Sequence, residues 1–127
     1  MTFLADTNIF LEILLKRAKK EGCKKFLNEN IGNLNITDFS LHSIGVILFR
    51  YQRKNLFHEF IEDVLPKVDL LSLPKGYYSD LLEANKGLGL DFDDAYQYCV
   101  ARYYRLQIAT LDKDFEKSKD IIILFIT

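Results

Sequence analysis

The chain has 127 residues, 49% of them hydrophobic, and its 17 lysines and arginines nearly cancel 18 aspartates and glutamates to leave a formal charge of -1. That length suits one domain, 1–127, with a single sizeable core. The composition excludes a disordered chain, and the charge balance excludes both a strongly basic nucleic-acid binder and an acidic tail, so any nucleic-acid site has to be local.

The N-terminal "MTFLADTNIFLEILLKR" is apolar, but Asp6, Asn8 and Glu12 interrupt it and no basic stretch precedes it, so it reads as a buried strand and helix and not as an export signal. "TFLAD" is the strand, and "TNIFLEILLKRAKKEG" has helical apolar spacing, with Gly22 interrupting before "CKKFLNEN" resumes the period. "LNIT" (34–37) is a second strand. "DFSLHSIGVILFRYQRKN" is a helix with Leu41, Ile44, Ile47 and Leu48 on one side, its polar end marked by Arg53 to Asn55. "LFHEFIEDVL" (56–65) is helical until Pro66 stops it, and "VDLLSL" (68–73) is a third strand before Pro74. "YYSDLLEANKGLG" is a helix ended by Gly87 or Gly89, "DFDDAYQYCVARYYRL" the next helix, "QIATLD" a fourth strand, "KDFEKSKD" a helical turn or loop, and "IIILFIT" a last strand.

Strands alternating with helices predict an α/β domain with a mainly parallel sheet covered on both faces. No segment reaches the roughly 18 apolar residues of a membrane span. Cys23 and Cys99 fall in different predicted helices without metal-ligand or disulfide spacing, which fits a reducing cytoplasm. The basic runs Lys16 to Lys25 and Arg50 to Lys54 read as solvated helix faces.

Carboxylates concentrate late in the chain, at Asp91, Asp93, Asp94, Asp112 and Asp114. Two readings stay open for them. Asp91 can cap a helix whose first turn holds Asp93 and Asp94, where the macrodipole favours negative charge, and Asp112 and Asp114 can start a turn. Alternatively, they form a site. In open α/β sheets ligands gather beyond the carboxyl ends of the strands, and there Asp6 closes the first predicted strand and Asp112 the fourth. A lone acid at position 6, between apolar flanks, is costly unless paired or bound to a cation. If Asp6, Asp94 and Asp112 converge, their repulsion is relieved by a hard divalent ion such as Mg²⁺ or Mn²⁺, and such an ion supports phosphodiester hydrolysis.

"FLADTNIFLEIL", "ITDFSLHSIGVIL", "LDFDDAYQYCVA" and "IATLDKDF", in this order, resemble the signatures of PIN-domain ribonucleases of the VapC toxin kind. The resemblance spans nearly the whole chain. It implies a three-layer domain with a mainly parallel sheet between helices, a pocket for Mg²⁺ or Mn²⁺, and endonucleolytic cleavage of single-stranded RNA by the toxin of a type II toxin–antitoxin pair, with a cognate antitoxin and a homodimer as assemblies. On it, Asp6, Asp94 and Asp112 match the acidic positions that bind metal and catalyse, Asn8 the small polar position after the first acid, and Thr110 a support of the last loop. Asp91, Asp93 and Asp114 are supporting residues or caps. The glutamate that the family usually carries on a middle helix aligns with Ser43, with His42 and Asp38 nearby. This substitution keeps an alternative in play, a catalytically weakened PIN-like module that binds RNA or protein without cutting. A dehalogenase-like phosphatase needs a second aspartate where Asn8 stands, and a receiver domain needs a lysine after its fifth strand, where "IIILFIT" has none.

Seven tyrosines and ten phenylalanines include the adjacent pairs Tyr77, Tyr78 and Tyr103, Tyr104, which cannot all face one side of a helix. Some of them are expected to meet a partner subunit, the alternative being that they stack within the monomer.

Overall fold

The computed structural model describes residues 2–127; Met1, which begins the apolar N-terminal stretch, lies outside them. In chain order the elements are β1 (Phe3–Ala5), α1 (Thr7–Leu14), α2 (Lys20–Glu29), β2 (Leu34–Thr37), α3 (Asp38–Arg50), α4 (Lys54–Glu59), β3 (Asp69–Leu71), α5 (Ser79–Leu88), α6 (Phe92–Tyr104), β4 (Gln107–Thr110) and β5 (Ile123–Phe125). The five strands form one sheet in the order β3-β2-β1-β4-β5, with every neighbouring pair parallel.

Alternation along the strands divides the core in two. Leu4 and Ile108 face α5 and α6, packing with Leu81, Leu90, Tyr96, Val100 and Phe115. Their neighbours Ala5 and Ala109, with Leu34 and Ile36, face the other way and pack with Ile9, Phe10, Phe26, Ile44 and Phe60 from α1 to α4 and the turn that follows. The period of two is what lets a short buried strand serve both layers.

This strand order reverses direction between β1 and β4, and in sheets of this type the crevice at that switch point, beyond the carboxyl ends, is where ligands bind. Asp6 follows β1 there, and Asp112 lies two residues past the end of β4.

The elements depart from the sequence expectations in three places. The break between the first two helical segments falls at residues 15–19 and not at Gly22. α1 stops at Leu14, Lys16 takes a left-handed φ of 53°, and the amide of Lys19 donates to the Glu12 carboxylate at 2.9 Å across the break. Gly22 does not interrupt anything: it sits inside α2, where a Cβ would lie 2.5 Å from the backbone oxygen of Thr127, so glycine lets the C-terminal segment approach the helix closely. The helix expected over 56–65 is α4 followed by a π-helical turn (Phe60–Val64) and a 3₁₀ turn (Leu65–Lys67) carrying Pro66 at its start. The outer strands β3 and β5 are three residues each, shorter than the apolar runs that hold them.

The paired tyrosines find partners within the chain. Tyr103 packs edge-on against both Tyr77 and Tyr104, with ring centroids 4.8 Å apart in each case, and the Tyr104 hydroxyl donates to the Ser72 carbonyl at 3.0 Å. All four rings nonetheless remain exposed. No helix among the described residues is long and apolar enough to cross a membrane.

Candidate metal centre

Four local starts bring the acids to the switch point. β1 runs straight into α1, and Asp6 is the N-cap, its Oδ1 accepting from the Thr7 amide at 2.9 Å. Thr37 caps α3 by accepting from the Ser40 amide. Asp91 caps α6, accepting from the Asp94 amide at 3.1 Å, which fixes Asp93 and Asp94 in its first turn. Asp112 starts the 3₁₀ turn Lys113–Lys117 by accepting from the Asp114 amide at 2.9 Å. Capping and convergence are thus one arrangement: short polar side chains satisfy orphan helix amides and, because α1, α3, α6 and the turn after β4 begin at the same sheet edge, they gather.

The resulting pocket is lined by Asp6, Asn8, Asp91, Asp93, Asp94, Asp112 and Asp114, together with Ser43 and Gln97. Carboxylate oxygens of Asp94, Asp112 and Asp114 lie within 4.8 Å of one another. Asp6 lies deeper, beside them. Its Oδ2 accepts from the Thr110 hydroxyl at 2.7 Å, and its Oδ1 accepts from the Gln97 amide at 3.2 Å. Thr110, itself fully buried, also accepts from the Asp112 amide at 2.9 Å, so one hydroxyl ties the acid after β1 to the loop after β4. Ser40 extends the network, accepting from Gln97 and pairing with the Thr7 hydroxyl at 2.7 Å.

Electrostatics separate the roles. Burial raises the Asp6 carboxyl above its usual range, while Thr110, Thr7 and Gln97 pull it back by donating to the charged form. No side-chain hydrogen bond among the described residues reaches the Asp94 carboxylate. Burial, then the negative charges of Asp112, Asp91, Asp6 and Asp114, push it up to about 7. Burial and Asp91 also raise Asp93. Neutralising the cluster requires protons or a cation.

The donor set suits a small hard cation. It consists of carboxylate oxygens, without thiolate or imidazole, which favours Mg²⁺ or Mn²⁺ over softer metals. A buried acceptor, Gln97 Oε1, has no donor among the described residues, and a water held by a metal ion is a donor of the right kind.

Of the residues singled out from the sequence, Asp6, Asn8, Ser43, Asp91, Asp93, Asp94, Asp112 and Asp114 line this pocket. Thr110 acts behind it through Asp6. His42 is exposed and lines the neighbouring cavity instead. Gln97 and Ser40 were not anticipated; a polar residue one turn after Asp94, amid Ala95, Tyr98, Val100 and Ala101, is the signal that marks Gln97. Asp38 turns away from the acids: its Oδ1 accepts from the Tyr96 hydroxyl at 2.7 Å and from the Phe39 amide at 2.8 Å.

A parallel α/β sheet with an oxygen-rich acidic pocket at its switch point defines the class of fold and site. More particularly, residues 3–120 match the PIN domain family model, and the chain belongs to that family. PIN domains are generally nucleases that use divalent metals. No curated protein matches the chain by sequence. Among solved structures it is similar to VapBC2 from Rickettsia felis bound to a DNA fragment from their promoter (TM-score 0.81, 16% identity, 100% of both chains). It is also similar to a toxin–antitoxin complex from Klebsiella pneumoniae (0.76, 18%, 95% of this chain and 96% of that one) and to VapBC-1 from nontypeable Haemophilus influenzae (0.75, 16%, 98% of both).

Proposed function

We propose that the protein is a Mg²⁺- or Mn²⁺-dependent endoribonuclease that cleaves single-stranded RNA and serves in the cytoplasm as the toxin of a type II toxin–antitoxin pair. The observation that carries this reading is the approach of three carboxylates, Asp94, Asp112 and Asp114, within 4.8 Å beside buried Asp6. Support also comes from the family and from neighbours described as toxin–antitoxin complexes.

Asp94, Asp112 and Asp114 would hold the metal ion, with Asp6 at the base of the pocket beside them. When bound, the ion acidifies a coordinated water and stabilises charge on the departing oxygen of the phosphodiester. Asp94 gives up its proton on binding. Thr110, Thr7 and Gln97 fix the Asp6 carboxyl and oppose the upward shift that burial imposes on it, and Asn8, in the first turn of α1, offers an amide to the incoming phosphate. A cognate antitoxin and a second copy of the chain are the protein partners. The exposed Val46 and Phe49 on α3 give the homodimer an apolar face, and a monomeric mass at micromolar concentration contradicts that assembly.

The test is cleavage of a single-stranded RNA with Mn²⁺ or with EDTA. The parent is expected to cut only with Mn²⁺, and Asp94→Asn not at all. One observation favours a second reading: Ser43 puts a hydroxyl in the pocket where the family usually carries a carboxylate. A binding module of that kind retains RNA in the presence of Mn²⁺ without cutting it.

A further inference from the structure

Beside the acidic pocket lies a second cavity of about 520 Å³, and the two share Phe39, Ser43 and Ile47 as a common wall. Its volume lies within the range of small-ligand sites. One side is aromatic. Phe92 stacks at an interplanar angle of 25° with Tyr96, 6.3 Å between centroids, and both rings contact Phe39 at 5.9 Å. Phe92 is 55% exposed although it begins α6 between Asp91 and Asp93. A large apolar ring left open between two acids contributes little to the core. The cavity is also lined by Asp38, at the start of α3 and bonded to Tyr96, and by Arg50, at the end of the same helix. Tyr96 and the Phe39 amide occupy Asp38 Oδ1, and no hydrogen bond among the described residues uses Oδ2.

We propose that this cavity receives an unpaired nucleobase of the RNA next to the scissile phosphate, with Phe92 as the stacking surface, Asp38 Oδ2 as acceptor for an amino or imino hydrogen of the base, and Arg50 as the contact for a flanking phosphate. The inference rests on the ribonuclease reading and deepens it. Every base has a π-face, so an exposed ring binds unpaired nucleotides, whereas a base held in a duplex cannot reach it. Arg50 is the only lysine or arginine among the described residues that line the cavity, so it offers a phosphate contact. The site selects single-stranded substrate and fixes its register against the metal centre. Each of the four RNA bases carries an amino or imino hydrogen on its pairing edge, so a carboxylate acceptor orients an unpaired base without excluding any of them.

The experiment measures Mn²⁺-dependent cleavage of short single-stranded RNA by the parent, Phe92→Ala and Phe92→Tyr, with an abasic nucleotide moved one position at a time along the substrate. Phe92→Ala is expected to raise KM about tenfold or more, in the range of one lost stacking contact, with kcat and Mn²⁺ affinity within about twofold of the parent and Phe92→Tyr close to it. For the parent, one abasic position is expected to cost as much as Phe92→Ala, and combining the two is expected to cost no more than either alone. The inference is overturned if the parent cuts RNA and Phe92→Ala has its KM, if every abasic position is tolerated, or if Phe92→Ala acts by losing Mn²⁺. If the parent does not cut RNA at all, the ribonuclease reading fails and the inference falls with it.

Discussion

Replacing Asp94 with asparagine is expected to stabilise the metal-free protein at neutral and alkaline pH while removing its response to metal. Asp94 moves from an ordinary carboxyl value of 3.8 to about 7 on folding. Its proton is therefore held more tightly in the folded chain. Stability from this group is fully present below pH 4 and is lost as pH rises through about 7. A shift of about three units corresponds to a ceiling of about 4 kcal/mol. The pocket side of the carboxylate meets water, which screens much of the repulsion, and the start of α6 returns about 0.5 kcal/mol by favouring negative charge. A net cost of about 1–2 kcal/mol at pH 8 remains, and asparagine does not bear it. For a chain of this length that is a rise of about 3–8 °C in Tm. The assay is thermal unfolding with EDTA from pH 4 to pH 8.5. The gap between variant and parent is expected to open with rising pH and level off above pH 8, and 1 mM Mn²⁺ to raise Tm of the parent alone. A gap independent of pH, or a variant less stable than the parent at pH 8, would refute the reasoning, since the helix dipole alone gives the parent the advantage wherever Asp94 is charged.

Ion binding displaces the Asp94 proton, so Mn²⁺ affinity is expected to fall about tenfold for each pH unit below 7 and to level off above it, as read by titration calorimetry in two buffers of different ionisation enthalpy. Thr110→Val keeps the volume but removes the donor to Asp6 Oδ2 and the acceptor for the Asp112 amide; urea unfolding is expected to show a loss of about 1–3 kcal/mol, and a neutral result shows that this hydroxyl does not couple the two strands. Ser43→Glu adds a carboxylate to the pocket wall and is expected to tighten Mn²⁺ binding, whereas unchanged affinity in that variant together with a loss in Asp93→Asn assigns the role to Asp93.

Much of this site is readable before the fold, for a physical reason. Asp6, Asp94 and Asp112 each follow or open an element whose period is plain in the sequence, and parallel α/β topology sends all such junctions to one edge. Capping and site readings of Asp91 and Asp112 look like rivals in one dimension, yet both side chains cap and line the pocket. What escapes the sequence is contact between distant segments. Gln97 lies 91 positions from Asp6, and Asp38 lies 58 from Tyr96. Neither spacing carries a local signal. Gly22 reads as a helix breaker because its role, making room for Thr127, exists only once the chain has closed on itself. The same holds for the tyrosine pairs, where Tyr77 meets Tyr103 and Tyr78 meets Tyr96.

The central claim is that these acids form a divalent metal centre, and the most direct measurement is anomalous scattering from crystals grown with Mn²⁺. A manganese peak is expected in the pocket, at about 2.1 Å from oxygens of Asp94, Asp112 and Asp114, the distance of a small hard cation. No peak at millimolar Mn²⁺, or a peak held only by residues outside this pocket, would contradict it.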